Sequence, residues 1–367
     1  MLRRIQIKGF KSLRSMDVDL QRINVFIGAN GVGKSNFLSF FRMLNFLTSK
    51  GLQVYIARAG GADMLLYYGS KHTARLECSL TFDTDQGTNI YEMSLVSAAG
   101  DTLIFTDERA CFNKKDRPLR PLMSLGQAGH RETVLDESTV ENVSGVGRYI
   151  RSAMSMWRVY HFHDTSPEAR MKKKCSIYDN EYLRDDAGNL ASFLYRLRSE
   201  SLPYYSRIVD TVRQFVPWFG DFVLKPDAEN PGSISLAWRE RSSDYLFSVD
   251  QLSDGTVRMI ALITLLLQPQ LPSCIILDEP ELGLHPYALN MLADLLKAAS
   301  LKSQVLLATQ SAHLVDQFAA KDVVVAERKD NQTVFDRLNE EHLAIWLQEY
   351  SLGELWEKNV FGGRPSL

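Results

Sequence analysis

Two stretches lying far apart in the chain carry side chains suited to phosphate chemistry: GANGVGKS at Gly28–Ser35 and IILDEPELGLHP at Ile275–Pro286. In the first, the glycines Gly28, Gly31 and Gly33 let the backbone turn tightly, so that consecutive N–H groups point at one anion at the start of a helix whose dipole favours negative charge. Lys34 would neutralise β- and γ-phosphates, and Ser35 would bind Mg²⁺. In the second, the apolar run CIILDEPE puts Asp278 at the C-terminal edge of a buried strand, where open α/β sheets keep their ligand crevice. Asp278 would hold Mg²⁺ through its water shell, and Glu279 is the candidate general base for an attacking water. The plainer alternatives are a glycine turn before a helix and two acids that end a strand at Pro280. The complete GxxxxGKS pattern in a strand-to-helix setting, with the acidic strand beside it, favours nucleotide hydrolysis.

A third string, LSDGT at Leu252–Thr256, has two readings. Ser253 or Asp254 is a fair helix N-cap. A serine, a glycine (Gly255) and a helix N-terminus are also what a surface needs to grip a γ-phosphate from the far side, so that a second subunit completes the site.

The elements that must position these residues follow from periodicity. Ile5, Ile7, Val18, Leu20, Ile23, Val25 and Ile27 mark short strands running into the glycine loop, and Phe37, Phe40, Phe41, Leu44, Phe46 and Leu47 mark the helix after it. From His72 to Phe112 the period is close to two, with DTDQGTN and AAGD as turns, which predicts an antiparallel meander. Residues Pro118 to Asp136 read as a surface loop, and Thr139–Trp157, Asn189–Ser199 and Pro203–Val216 as helices. Strands at Phe222–Lys225, Ser233–Trp238 and Tyr245–Val249 lead to LSDGT and the apolar helix Val257–Leu267. Strand Cys274–Leu277, helix Tyr287–Ala299, strand Gln304–Ala308, helix Ala312–Phe318 and strand Asp322–Ala326 then alternate as in a parallel sheet with crossover helices. The nucleotide machinery thus lies at both ends of the sequence, giving a split core at residues 1–50 and 220–367 around an insertion, residues 51–219, with an antiparallel β lobe and a helical arm. Internal repeats, low-complexity tracts and sustained heptads are not found.

Composition bounds the function classes. With 367 residues and 45% apolar content the chain can bury a sizeable core, and its formal charge of −2 exerts no global pull on nucleic acid. DNA contact would need a local patch, and the strongest positive cluster is ARMKKKC at Ala169–Cys175, which reads otherwise as a solvated loop. The four cysteines show no CxxC spacing and fit a reducing cytoplasm. No apolar run approaches the roughly 20 residues of a membrane helix, and the N-terminus lacks a signal-peptide core, so a cytoplasmic protein without membrane partners is expected.

The combination IKGFKSL, GANGVGKS, LSDGT, ILDEPELGLHP and ATQS resembles the RecF-like and SMC-like branch of ABC ATPases. More closely it resembles the compact bacterial "predicted ATPase" family, related to overcoming-lysogenisation-defect ATPase heads, in which LSDGT is followed by an arginine, here Arg258. The resemblance covers both ends of the chain and, more loosely, WRVYHFHDTS and DAGNLASFL. It implies an α/β fold of ABC-ATPase head type, a P-loop NTPase with a mixed central sheet, an antiparallel β lobe and a mostly helical insertion. It also implies ATP and Mg²⁺, with Gly28, Ala29, Asn30, Gly31, Gly33, Lys34, Ser35 and Asn36 on the phosphates in cis. Ser253 and Gly255 would act in trans, in a homodimer that sandwiches two ATP molecules. The chain's end at Leu367 leaves no room for the fused nuclease of the lysogenisation-related proteins, so a separate effector protein is expected, with DNA as the other candidate partner.

Two departures bear on activity. The histidine usual after the fourth strand is replaced by Gln310, which can orient water or contact the γ-phosphate but cannot become a cation near neutral pH, so slow turnover is expected. His313 reads as a helix-surface residue. The segment meant to carry the Q-loop glutamine holds His161, His163 and Asp164 instead, one of which could reach the metal or simply end a strand. His285 belongs to the loop after the acidic strand, which in the family faces the partner subunit; its plainer reading is a solvated turn.

Overall fold

The computed structural model describes residues 1–135 and 141–363, with residues 141–144 described by backbone alone. Contacts divide the chain into two compact units, Met1–Arg158 with Phe318–Leu367, and Val159–Gln317.

In the first unit, strand Leu2–Phe10 pairs antiparallel with Leu13–Asp19 on one side and with Leu76–Thr84 on the other. Strands Gly87–Ala98 and Thr102–Lys114 extend that sheet. The two-residue alternation puts Ile5, Ile7, Leu80, Tyr91 and Met93 into the core. The opposite face carries ion pairs such as Arg4–Asp17, Lys8–Glu77 and Arg109–Glu92. The meander is therefore present, and its strands share a sheet with the chain's first two strands.

Helix Lys34–Thr48 buries Phe37, Phe40, Phe41, Leu44 and Leu47. Its aromatic rings interlock with Phe10, Phe26 and Trp157 at centroid distances of 4.9 to 5.4 Å. Strand Ile23–Ile27, buried throughout, runs parallel to Val323–Lys329, which turns back antiparallel into Gln332–Arg337. Helix Leu52–Arg58 and strand Gln332–Arg337 carry no periodic signal long enough to read in the sequence.

The second unit pairs strand Cys274–Asp278 in parallel with Gln304–Thr309, joined by crossover helix Pro286–Ser300. Helix Asp254–Leu267 is buried from Val257 to its end. Helices Leu190–Glu200 and Leu202–Phe215 lie close to the expected positions. A small sheet of Phe219–Val223, Ala237–Glu240 and Phe247–Ser248 is held by the stack Phe219–Trp238–Phe247.

Several expected elements change. The strand expected at Ser233–Trp238 is two: Ser233–Ile234 pairs with Cys175–Ser176, and Ala237–Glu240 with Phe219–Val223, so the chain bends between them to serve two sheets. The helix expected at Ala312–Phe318 ends at Val315, because Gln317 N–H turns to the Leu314 carbonyl in a tighter closure. The helix expected from Thr139 spans Glu141–Ser155, with Thr139 outside the described residues, and Trp157 opens a strand. The expected surface loop from Pro118 to Asp136, whose last residue also lies outside the described part, buries Leu125, Thr133 and Leu135. The cause is Glu108, fully buried in the meander. Its carboxylate accepts from Thr133 Oγ1 at 2.5 Å and Val134 N–H at 3.0 Å, and lies 3.1 Å from His130 Nε2, so the loop is drawn inward to satisfy it.

Candidate functional site

In the first unit, the Ile23–Ile27 strand delivers the glycine loop to the start of helix Lys34–Thr48. Gly33 lies at φ 111°, and a Cβ there would meet Thr333 Oγ1 and Ser12 Oγ, so only glycine fits. Thr333 in turn donates to the Val32 carbonyl at 2.6 Å, which makes strand Gln332–Arg337 the floor of the loop. Lys34 is buried, and its ammonium donates to the carbonyls of Gly28 at 2.6 Å and Ala29 at 3.1 Å, closing the loop around its own cation. Ala29 N–H donates to the Gly363 carbonyl. Asn30, Gly31 and Ser35 are exposed, and Asn36 donates from Nδ2 to Ser12 Oγ at 2.9 Å. The first-turn N–H groups of the helix have no intrahelical acceptors, and a concave loop with a lysine inside it suits a phosphate chain.

The second unit holds the acidic residues, the LSDGT string (the signature segment below) and Gln310. Asp278 is buried at the last position of its strand; His163 Nε2 donates to its carbonyl at 2.6 Å, and His161 Nδ1 lies 3.8 Å from its carboxylate. Both histidines of YHFHDTS therefore converge on the strand end. Glu279 takes the left-handed conformation, φ 41°, with its N–H bonded to the Ala308 carbonyl at 2.8 Å. A non-glycine residue held at positive φ directly after a buried strand is a conformation that functional sites select. Gln310 Nε2 donates to Glu279 Oε1, so two expected catalytic residues meet.

Sequence reasoning gave no role to Glu281. Its Oε1 accepts from Thr309 Oγ1 at 2.5 Å and from Gln310 N–H at 2.8 Å, and burial pushes its carboxyl above the usual carboxylate range. The only sequence signal is a third carboxylate in DEPE; its partners lie 28 and 29 residues away, beyond any local pattern.

Ser253 and Asp254 are exposed, and Ser253 Oγ accepts from Thr256 N–H at 3.2 Å. Ser253 thus caps the helix while staying on the surface, so the two readings of LSDGT are compatible. Gly255 packs so closely that a Cβ would lie 2.4 Å from the Gly283 carbonyl. Buried Arg258 donates to the carbonyls of Phe162 at 2.7 Å, His163 at 3.0 Å and Leu282, tying the signature helix to the histidine segment and to the loop after the acidic strand. His285 caps helix Pro286–Ser300, its Nδ1 accepting from Tyr287 N–H at 3.3 Å, and His313 is exposed beside Asn290.

The basic run is not a free patch. Lys172 pairs with Asp254 at 2.9 Å and Lys173 with Glu168 at 2.8 Å; Lys174 pairs with Asp227, and Arg170 lies 3.6 Å from Asp186. Hydrogen bonding to Lys172 holds the Asp254 carboxyl below its ordinary range.

Residues 147–316 match the family model described as "AAA domain, putative AbiEii toxin, Type IV TA system", and residues 1–109 match the AAA ATPase domain model. No curated protein matches the chain in sequence. Among solved structures, the fold is similar to the Smc head bound to the C-terminal winged-helix domain of ScpA, with a TM-score of 0.61 at 16% identity over 94% of this chain and 99% of that one. It is also similar to the Smc head domain with an extended coiled coil bound to the C-terminal domain of ScpA from Pyrococcus furiosus, with a TM-score of 0.57 at 16% identity over 95% and 98%. At that identity the likeness is one of fold. Two parts of the chain thus match ATPase-domain models, and its fold is that of an Smc head. Among the described residues no helix is long and apolar enough to cross a membrane.

Proposed function

We propose that this protein is an ATP-dependent switch: a head-to-head dimer that closes on magnesium-bound ATP, hydrolyses it and reopens. Gly28, Ala29, Asn30, Gly31, Gly33 and Asn36 would bind the phosphates, mainly through backbone N–H groups, and Lys34 would exchange its two loop carbonyls for β- and γ-phosphate oxygens. Ser35 and Asp278 are the residue types that hold Mg²⁺, which would supply charge neutralisation between the phosphates. Each suits a hard cation bound partly through water, Ser35 as an exposed hydroxyl and Asp278 as a buried carboxylate. Glu279 would take the proton from the attacking water, and Gln310 would orient that water.

The observation that carries the dimer is the exposure of Ser253 at the head of a long buried helix. A hydroxyl and a helix N-terminus facing solvent, beside Gly255, suit the γ-phosphate bound by a second copy. Each subunit would then supply part of the charge neutralisation, so loss of the γ-phosphate would loosen the pair and shift the population to the open form.

The output we assign to a separate effector protein in antiviral defence, in a cytoplasm that leaves all four cysteines free. The pairing of Arg170, Lys172, Lys173 and Lys174 with carboxylates weighs against that run as a DNA contact. The ScpA-bound Smc heads of similar fold support a protein partner. Gln310, whose amide cannot become a cation near neutral pH, favours a second reading, a slow ATPase acting as a nucleotide-dependent scaffold. Phosphate release from MgATP, with and without single- or double-stranded DNA, separates these readings. Slow hydrolysis unaffected by DNA supports an effector-coupled switch, and hydrolysis stimulated by DNA, with salt-sensitive binding, would move the assignment to DNA maintenance.

A further inference from the structure

We infer that Glu281 is a positioning residue for hydrolysis, setting the engagement of Gln310 with Glu279 through the end of strand Gln304–Thr309. One carboxylate oxygen, Oε1, receives both Thr309 Oγ1 at 2.5 Å and Gln310 N–H at 2.8 Å. Thr309 Oγ1 then accepts Ser311 N–H at 3.0 Å, and Ser311 caps the next helix through Leu314 N–H at 3.1 Å. The backbone on both sides of Gln310 is thereby fixed, and its side-chain amide is delivered to Glu279 Oε1.

Glu281 is costly for stability, which argues that it is kept for this purpose. Its Oε2 is buried with no hydrogen-bond partner among the described residues, and burial pushes the carboxyl up. A neutral residue would fill that space at lower electrostatic cost. Glu281 follows Glu279 closely, so the turn that puts Glu279 at positive φ also aims Glu281 inward, and both carboxylates reach the same two-residue stretch, Thr309–Gln310. A misplacement of about 1 Å in such a support can cost on the order of 100-fold in rate.

This inference rests on the reading of Glu279 as general base, and the test separates the two. Wild type, Glu281→Ala, Glu281→Gln, Gln310→Ala and the Glu281→Ala/Gln310→Ala double variant are compared for MgATP affinity and kcat, with amide exchange at Gln310 measured in nucleotide-free protein. We expect Glu281→Ala to bind ATP as wild type does, to lose kcat by about tenfold or more, and to exchange the Gln310 amide faster. Glu281→Gln, which keeps the Oε1 acceptor, restores most of the rate. In the Gln310→Ala background the further loss from Glu281→Ala shrinks, because the two act in series. An active wild type whose kcat is unchanged in Glu281→Ala, or a loss of the same factor with and without Gln310, overturns the positioning role. A wild type that hydrolyses no ATP overturns the reading of the site, and a Gln310 amide equally protected in Glu281→Ala overturns the geometry independently of any turnover.

Discussion

On the proposed function Lys34 serves binding and Glu279 chemistry, and substitutions should separate them. Lys34→Ala removes the cation from the glycine loop and should weaken ATP binding by about 100-fold or more in titration calorimetry, since a desolvated charge contact is lost. Glu279→Gln keeps the shape of the site and should retain affinity while kcat falls by about 100-fold or more. The proposed roles come from local strings, the phosphate loop and the acidic strand, whose residue types and spacing suit that chemistry. Glu281 was not readable, because its role depends on hydrogen bonds to Thr309 and Gln310 from across a strand pair. Its raised carboxyl also gives a pH effect. Folded protein holds that proton to higher pH than the unfolded chain, so Glu281 lowers stability as pH rises from its unfolded pKa, about 4.3, through its folded value. The melting temperature of Glu281→Gln relative to wild type should therefore shift in the variant's favour as pH rises above about 4.3, and a difference constant with pH would contradict this.

The signature helix is held where it is by contacts that admit little substitution. Gly255 faces the Gly283 carbonyl at a distance no Cβ can occupy, so Gly255→Ala should destabilise the protein by about 1–3 kcal/mol through overpacking, read as a lower urea midpoint. Arg258→Met leaves the carbonyls of Phe162, His163 and Leu282 without their donor and should cost about 3 kcal/mol in the same measurement. Sequence periodicity located this helix, the meander and the Cys274–Asp278 strand to within a few residues, because each has a run long enough to show its period. It failed where one segment serves two partners, as at Ser233–Glu240, and where a buried charge reshapes a loop, as Glu108 does to residues 125–135. Neither a two-sheet bend nor a buried carboxylate has a periodic signature.

At the scale of the whole molecule, the proposed function takes a second copy of this chain, rather than nucleic acid, as the partner, on the exposure of Ser253 and the ion pairing of the basic run. Binding to DNA should accordingly be weak at physiological ionic strength with or without ATP, in a fluorescence anisotropy titration over salt. The central claim is that triphosphate brings two copies together. Light scattering on Glu279→Gln, with and without saturating MgATP, tests it most directly. The account predicts a monomer of 41.6 kDa without nucleotide and a mass of twice that value with it, reverting to monomer when Ser253→Arg is added. A Glu279→Gln protein that binds MgATP yet stays monomeric would contradict it.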